Sequence, residues 1–184
     1  DGINCDKVVV DDFDSAYDAT THLIKLGSKK IALLSTIHNL SVGKLRLEGY
    51  QKALSDANIQ IDENLIILET SIEDFDVKLQ ELISSKKMDA IFALDEHSAT
   101  ASMKMALKQG IKIPEELNVI GFADGVWSRR LTPSLSTVSQ HAPEIGAKAA
   151  ELLIHKLNSK DEFYQPQTVV IKTELRKRES TRRL

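Results

Sequence analysis

The sequence has 184 residues, of which 42% are apolar and 28% charged, with a formal net charge of −3 and a pI near 6.0. This composition is that of a globular chain and argues against intrinsic disorder. The lack of a basic excess argues against a nucleic-acid-binding surface within the chain. The single cysteine, Cys5, excludes an internal disulfide and indicates a reduced compartment, and no apolar run approaches the ~18 residues of a membrane span.

Short apolar runs alternate with amphipathic segments over the first two thirds of the chain. The first amphipathic segment has Ala16, Ala19 and Leu23 on one helical face, and Gly27 is expected to end it. A strand every ~25–30 residues with a helix between is typical of βαβ units, so the sequence predicts an α/β fold with a parallel sheet buried on both faces. The predicted strands are Val8–Val10, Ile31–Leu34, Leu65–Leu68, Ala90–Leu94 and Val119–Phe122.

The pattern changes after Phe122. We predict a loop from Asp124 to Pro133, a short strand at Leu135–Val138 and a last strand at Thr168–Ile171. The basic tail, residues 176–184, is interpreted as a solvated end. A long helix is expected to open at Pro143, with an inner face formed by Gly146, Ala149, Ala150, Leu153, Ile154 and Leu157.

Polar side chains follow each predicted strand. Ligands of open parallel sheets bind outside the carboxyl ends of the strands, so these residues are the candidate binding groups. Carboxylates, hydroxyls and one arginine suit a small polar ligand held by hydrogen bonds. Alternatives stay open, because Asp14 and Asp95 could be helix N-caps, Arg46 a surface residue and Trp127 a packing residue. The candidates are Asp11, Asp12, Asp14, Ser35, Thr36, His38, Asn39, Arg46, Thr70, Ser71, Asp95, Glu96 and Asp124.

Motifs of catalysis and metal binding are not found. The chain has no G-x-S-x-G elbow, no phosphate-binding G-x-x-x-x-G-K-[ST], no G-x-G-x-x-G after the first strand and no H-E-x-x-H. No Cys/His cluster has the spacing of a zinc site. We therefore expect a binding protein without a cofactor or metal, and not an enzyme.

Six stretches in fixed order carry a recognisable pattern. They are VVVDDFDSAYDATTHLIKLGSKKIA at 8–32, KLRLEGY at 44–50, DAIFALD at 89–95, GIKIPEELNVIGF at 110–122, LTPSLSTVSQ at 131–140 and ELRKREST at 174–181. Together they resemble the effector-binding domain of the LacI (lactose repressor) family of transcription regulators. The resemblance covers nearly the whole chain. It departs from the family at Ala123, where an acidic residue that contacts the effector is usual.

The resemblance implies a periplasmic-binding-protein-like fold of two Rossmann-like parallel-sheet lobes with the effector between them. Residues 1–28 and 134–162 would form an incomplete first lobe, and residues 29–133 and 163–184 the second. A cytoplasmic homodimer is implied, which touches DNA only through a helix-turn-helix upstream of this chain. The ligand would be sugar-like or nucleobase-like. A periplasmic sugar-binding protein of a transporter, which has the same fold, is the alternative.

The resemblance also implies site residues and an interface. The implied effector-binding residues are Arg46, Asp95, Phe122, Asp124, Asp14 and Gln140. The implied dimer interface includes Trp127, Leu131, Ser98 and Met105.

Overall fold

The computed structural model describes residues 3–122, 125–159 and 164–181. Strands and helices alternate along these ranges, as the spacing of the apolar runs predicts. None of the helices in them is long and apolar enough to cross a membrane. The strands are β1 (Lys7–Val10), β2 (Ile31–Ser35), β3 (Ile66–Leu68), β4 (Ala90–Ala93), β5 (Asn118–Gly121), β6 (Ser136–Ser139), β7 (Thr168–Ile171) and β8 (Glu174–Arg176). The helices are α1 (Asp12–Lys25), α2 (Ser41–Asp56), α3 (Ile72–Ser85), α4 (Glu96–Lys108), α5 (Val126–Arg130) and α6 (Ala142–Asn158).

Six strands form one large sheet in the order β3-β2-β4-β5-β6-β8. The first five run parallel, and β8 is antiparallel to β6. Every residue of β2, β4, β5 and β6 is buried. Such fully buried strands need helices on both faces, and the predicted α/β parallel-sheet fold is confirmed.

Helices cover the two faces of the large sheet in pairs. On one face α3 and α4 contribute Phe75, Leu79 and Met103 to the core. On the other face α1 and α2 contribute Leu23 and Tyr50. The two helices of the second pair approach closely at Gly49, where a Cβ would lie 2.4 Å from the carbonyl oxygen of Phe13. Only glycine permits this approach, which brings the first turn of α1 against α2.

A second, two-stranded sheet pairs β1 with β7 in parallel. Of α6, which packs against β1, Leu152 is the buried side chain. Leu153, Ile154 and Leu157 are 57%, 58% and 75% exposed, so the predicted inner face of this helix is wrong. The two strands offer α6 a narrow surface, and Leu152 meets it.

The sheets divide the chain differently from the predicted lobe boundaries. β6 pairs with β5 in the large sheet, although 134–162 was expected in the first lobe. β7 pairs with β1, although 163–184 was expected in the second lobe. The chain therefore crosses between the sheets after β1, after β6 and between β7 and β8. The pairing partners lie far apart in sequence, as with Lys7 and Thr168, so local pattern does not reveal them.

The C-terminal tail is fastened to the large sheet. The Ser180 hydroxyl donates to the Val119 carbonyl at 2.6 Å and accepts from the Ser136 amide at 2.7 Å. The Thr181 and Ser136 hydroxyls lie 2.8 Å apart. Ser180 is fully buried and Thr181 nearly so. The interpretation of the tail as a solvated end is thus wrong for these residues.

Candidate functional site

Arg46 lies in α2 at the carboxyl ends of β4 and β5, and it is 3% exposed. Its Nη1 donates to the Leu94 carbonyl at 2.6 Å, at the end of β4. Its guanidinium carbon lies 3.7 Å from the centroid of the Phe122 ring, which follows β5. A guanidinium stacked on an aromatic face at this distance is a favourable cation–π contact. The stack and the carbonyl together fix the orientation of the guanidinium plane.

Asp12, the first residue of α1, is the charged partner of Arg46. The Arg46 Nε donates to Asp12 Oδ1 at 2.7 Å, and Nη2 lies 2.7 Å from the same oxygen. Burial raises the pKa of the Asp12 carboxyl above its usual value, and the Arg46 charge offsets part of that rise. Burial also lowers the pKa of Arg46, which Asp12 and Asp95 oppose. Each of the two charges can be buried only because the other is paired with it, since a buried charge without a partner is strongly destabilising.

Gln140 completes the polar surroundings of the guanidinium. Its Oε1 accepts from Arg46 Nη2 at 3.1 Å. Gln140 directly follows β6 and precedes His141, which has a φ of 52° and caps α6. Arg46 therefore contacts two of the three crossings between the sheets, through Asp12 after β1 and through Gln140 after β6.

Asp95 lies between β4 and α4 and is the N-cap residue of α4. Its Oδ1 accepts from the Ser98 amide at 2.8 Å and its Oδ2 from the Thr36 amide at 2.8 Å. The Ser98 hydroxyl donates to both carboxylate oxygens, at 2.8 Å each. The N-cap alternative is thus confirmed for Asp95. The carboxylate also ties the loop after β2 to α4, next to the arginine.

The structure brings together four of the six predicted site residues, namely Arg46, Asp95, Phe122 and Gln140. Asp14 is separate, because its side chain is 65% exposed and lies 3.6 Å from Lys172. Asp124 lies outside the described residues.

Asp12 was predicted only as one member of the polar ring, yet it is the charged partner of Arg46, at 2.7 Å. A signal for this role is present in the sequence. Asp12, Ala16, Ala19 and Leu23 recur at i, i+4, i+7 and i+11, which is one face of a helix. Asp12 thus belongs to the apolar, inward face of α1, whereas Asp14 does not.

The predicted interface residues differ in exposure. Trp127 is 65% exposed and does not pack inside its own lobe. Met105 and Leu131 are partly buried against the core cluster under α3 and α4. Ser98 is fully buried and donates its hydroxyl to Asp95. Ser98 therefore cannot contact a second subunit, and its assignment to the interface is wrong.

The described ranges hold no group of three or more His, Cys, Asp or Glu side chains that could bind a metal ion. The chemistry that the described site offers is hydrogen bonding and stacking. Arg46 supplies donors, Phe122 an aromatic face, and Asp12, Asp95 and Gln140 acceptors. This combination suits recognition of hydroxyl groups.

Comparison with known proteins adds the family. A model of the periplasmic binding protein-like domain matches residues 20–181. The chain belongs to this family. Among its relatives is a regulator, the HTH-type transcriptional regulator DegA of Bacillus subtilis. It is 35% identical over 144 residues, which is 78% of this chain and 43% of DegA.

Further relatives agree. The ribose operon repressor of Haemophilus influenzae is 32% identical over 167 residues, which is 89% of this chain and 50% of the repressor. The solved complex of the transcriptional regulator CelR with cellobiose superposes with a TM-score of 0.86 at 27% identity, covering 96% of this chain and 54% of CelR. The predicted LacI-family relationship is confirmed. The chain spans about half the length of the curated relatives that it matches.

Proposed function

We propose that this chain is the effector-sensing domain of a LacI-type transcription regulator. Its ligand is a small polar molecule bound beside Arg46 at the carboxyl ends of β4 and β5. The observation that carries the proposal is the buried Arg46, whose guanidinium stacks on Phe122 and bonds to Gln140. The regulators among the relatives favour this function over the transporter alternative. A regulator that acts on DNA works in the cytoplasm, and we propose that location for this protein.

The mechanism follows from the position of Arg46 between crossings. A ligand hydroxyl that accepts from Nη2 takes the place of the Gln140 carbonyl. Gln140 then loses its side-chain bond to α2, and we expect α6 and the two-stranded sheet to change their position relative to the large sheet. A ligand shifts such an equilibrium only by its different affinity for the two arrangements. In a regulator, that shift alters DNA binding.

The test is ligand binding by the intact protein and an Arg46→Lys variant. Arg46→Ala is unsuitable, because it would leave the Asp12 carboxylate buried and unpaired, at a cost of about 3–5 kcal/mol. Lysine keeps the charge next to Asp12 but loses the planar fork that binds two acceptors at once. We expect a panel of sugars that includes D-ribose and cellobiose to contain a ligand, with affinity at least about tenfold weaker for Arg46→Lys.

The matched control is Arg130→Lys on α5, where the arginine is exposed. Calorimetric titration should give this variant the affinity of the unchanged protein. Equal affinity of Arg46→Lys and the unchanged protein for the same sugar would place the ligand elsewhere and refute the proposed site.

We also propose that the regulator is a homodimer that pairs through the surface formed by α4 and α5. Trp127, Val126 and Leu107 are 65%, 54% and 41% exposed there, and large exposed aromatic side chains are enriched at interfaces. Sedimentation of Trp127→Ala should show a shift from dimer to monomer at concentrations where the unchanged protein is dimeric. An unchanged sedimentation coefficient would exclude this surface.

A further inference from the structure

The positive charge of Arg46 in the candidate site is neutralised by a carboxylate of the same chain. The guanidinium of Arg46 meets Asp12 Oδ1 twice at 2.7 Å. The two side chains are only 4% and 2% exposed, so water does not screen this pair. One positive and one negative charge cancel, and the arginine offers a ligand its remaining donors but little net charge.

A second carboxylate makes the balance negative. Asp95 directly follows Leu94, whose carbonyl oxygen accepts from Arg46 at 2.6 Å, so its carboxylate belongs to the same end of the sheet. With one guanidinium and the carboxylates of Asp12 and Asp95, the described part of the site has a formal charge of −1. An anionic ligand would meet this charge, and Arg46, the cation that the described residues place there, is already paired with Asp12.

The N-termini of α1 and α4 do not offer a replacement. The first turn of a helix attracts anions through its free amides and its dipole. In α1 that turn carries Asp12 and Asp14. In α4 the cap is Asp95, which already accepts from the Ser98 amide. Carboxylates of this chain therefore occupy the N-terminal ends of α1 and α4.

The exchangeable contact of Arg46 is neutral. Gln140 presents an uncharged carbonyl oxygen at 3.1 Å, the longest of the hydrogen bonds that Arg46 makes among the described residues. A ligand hydroxyl is an uncharged acceptor of the same kind. A ligand hydroxyl that displaces the Gln140 side chain leaves Asp12 paired with Arg46. An anion would instead compete with Asp12 for the Arg46 guanidinium.

From this arrangement we propose that Asp12 determines ligand class. It selects uncharged, hydroxyl-bearing ligands and excludes phosphorylated or carboxylate-bearing ones, by neutralising Arg46. The inference rests on the proposed binding site and goes beyond it, because the proposed function alone does not distinguish a sugar from a sugar phosphate. Specificity of this kind comes from a repulsive element as well as from attractive contacts.

The test is anion binding by an Asp12→Asn variant of the intact protein, with inorganic phosphate and D-ribose 5-phosphate as probes. Asparagine keeps an acceptor for Arg46 but removes the charge, so the guanidinium becomes available to an anion. Titration calorimetry at low ionic strength should show at least about a tenfold gain in phosphate affinity over the unchanged protein, because removing a like charge lifts a penalty of this size or more.

The matched control is Asp11→Asn, one residue earlier. Asp11 contacts Lys172 at 3.1 Å and accepts from the Thr173 amide at 2.8 Å, and its described contacts do not include Arg46. Both substitutions change the net charge by one unit. Only Asp12→Asn should gain phosphate affinity, so an equal gain in Asp11→Asn would reduce the effect to overall charge and overturn the proposal.

Further outcomes decide the inference independently. If the unchanged protein binds D-ribose 5-phosphate as tightly as D-ribose or more so, Asp12 does not exclude anions and the proposal fails, even if Asp12→Asn does not fold. A folded Asp12→Asn that gains nothing also refutes it. If Asp12→Asn gains phosphate while no sugar binds the unchanged protein, the inference about Asp12 holds and the proposed ligand class fails.

Discussion

The large sheet and the two-stranded sheet bury their side chains to very different extents. In the large sheet, β2 and β4 have every residue buried, with apolar clusters on both faces. In the small sheet, Val9 and Val170 are 38% and 50% exposed, and α6 adds only Leu152 to the buried set. Within the described residues, α1 to α4 cover the large sheet and make it a packed core, whereas α6 alone packs against β1 of the small sheet.

The difference in burial indicates which part of the site is preformed. Leu94 and Phe122 lie at the ends of strands of the large sheet and hold Arg46 in place. Gln140 leads into α6 and the weakly packed region. We expect the large sheet to act as a rigid frame and the small sheet as the part that responds to a ligand, because elements with few buried apolar contacts are the ones that move.

Matched leucine truncations test the contrast, and they should give the largest effect. Leu33 in β2 is fully buried, whereas Leu153 in α6 is 57% exposed. Leu33→Ala should lower the free energy of unfolding by about 2–5 kcal/mol, because it leaves a cavity in a packed core. Leu153→Ala should change it by no more than about 0.5 kcal/mol.

Chemical denaturation of the intact protein measures both values. A similar loss for the two variants would mean that α6 is covered by a partner that buries Leu153. That result would erase the contrast between the regions in the assembled protein.

The parts of the fold that the sequence predicts well are those with local signals. The runs at Ile31–Leu34 and Ala90–Leu94 are apolar without alternation, which is typical of central parallel strands. β8 was missed because it has three residues, two of them charged, and pairs with β6 from far along the chain. The face of α6 was mispredicted because periodicity marks an apolar face but not whether anything covers it.

The candidate site shows the same limit. Arg46 shares a helical face with Tyr50 and Ala53, which are buried, so its inward direction is encoded locally. The pairing of Arg46 with Asp12 depends on the close approach of α1 and α2 at Gly49. Sequence spacing does not reveal how closely the two helices approach. It therefore did not single out Asp12 from its neighbours Asp11 and Asp14.

An intermediate effect is expected at Ser180, which extends the large sheet's framework to the C-terminal tail. Ser180→Ala removes a donor to the Val119 carbonyl and an acceptor for the Ser136 amide. Both groups would be left buried and unpaired, at about 1–3 kcal/mol. Denaturation should show this loss of stability. Thr168→Ala, at an exposed position of β7, is the comparison in the small region, and an equal loss there would contradict the idea that the stabilising network belongs to the large sheet.

The smallest effect is a pH dependence that distinguishes the two regions. His22 in α1 is buried against the large-sheet region, and its Nε2 has no hydrogen-bond partner among the described residues. Burial lowers its pKa from the ordinary value of 6.5, and Lys177 and Lys25 lower it further. The folded protein thus favours the neutral ring. The stability that this provides is complete above pH 6.5 and is lost as the pH falls from there towards the folded pKa.

His22→Gln, which does not titrate in this range, should therefore reduce the fall in unfolding free energy between about pH 7.5 and 5.5. The control is His155→Gln on α6, an exposed residue of the small region. Denaturation curves across this pH range should show a shallower slope for His22→Gln than for the unchanged protein and for His155→Gln. A shallower slope for His155→Gln than for His22→Gln would assign the acid sensitivity to the small sheet. Burial of His22 against the large sheet would then not be its cause.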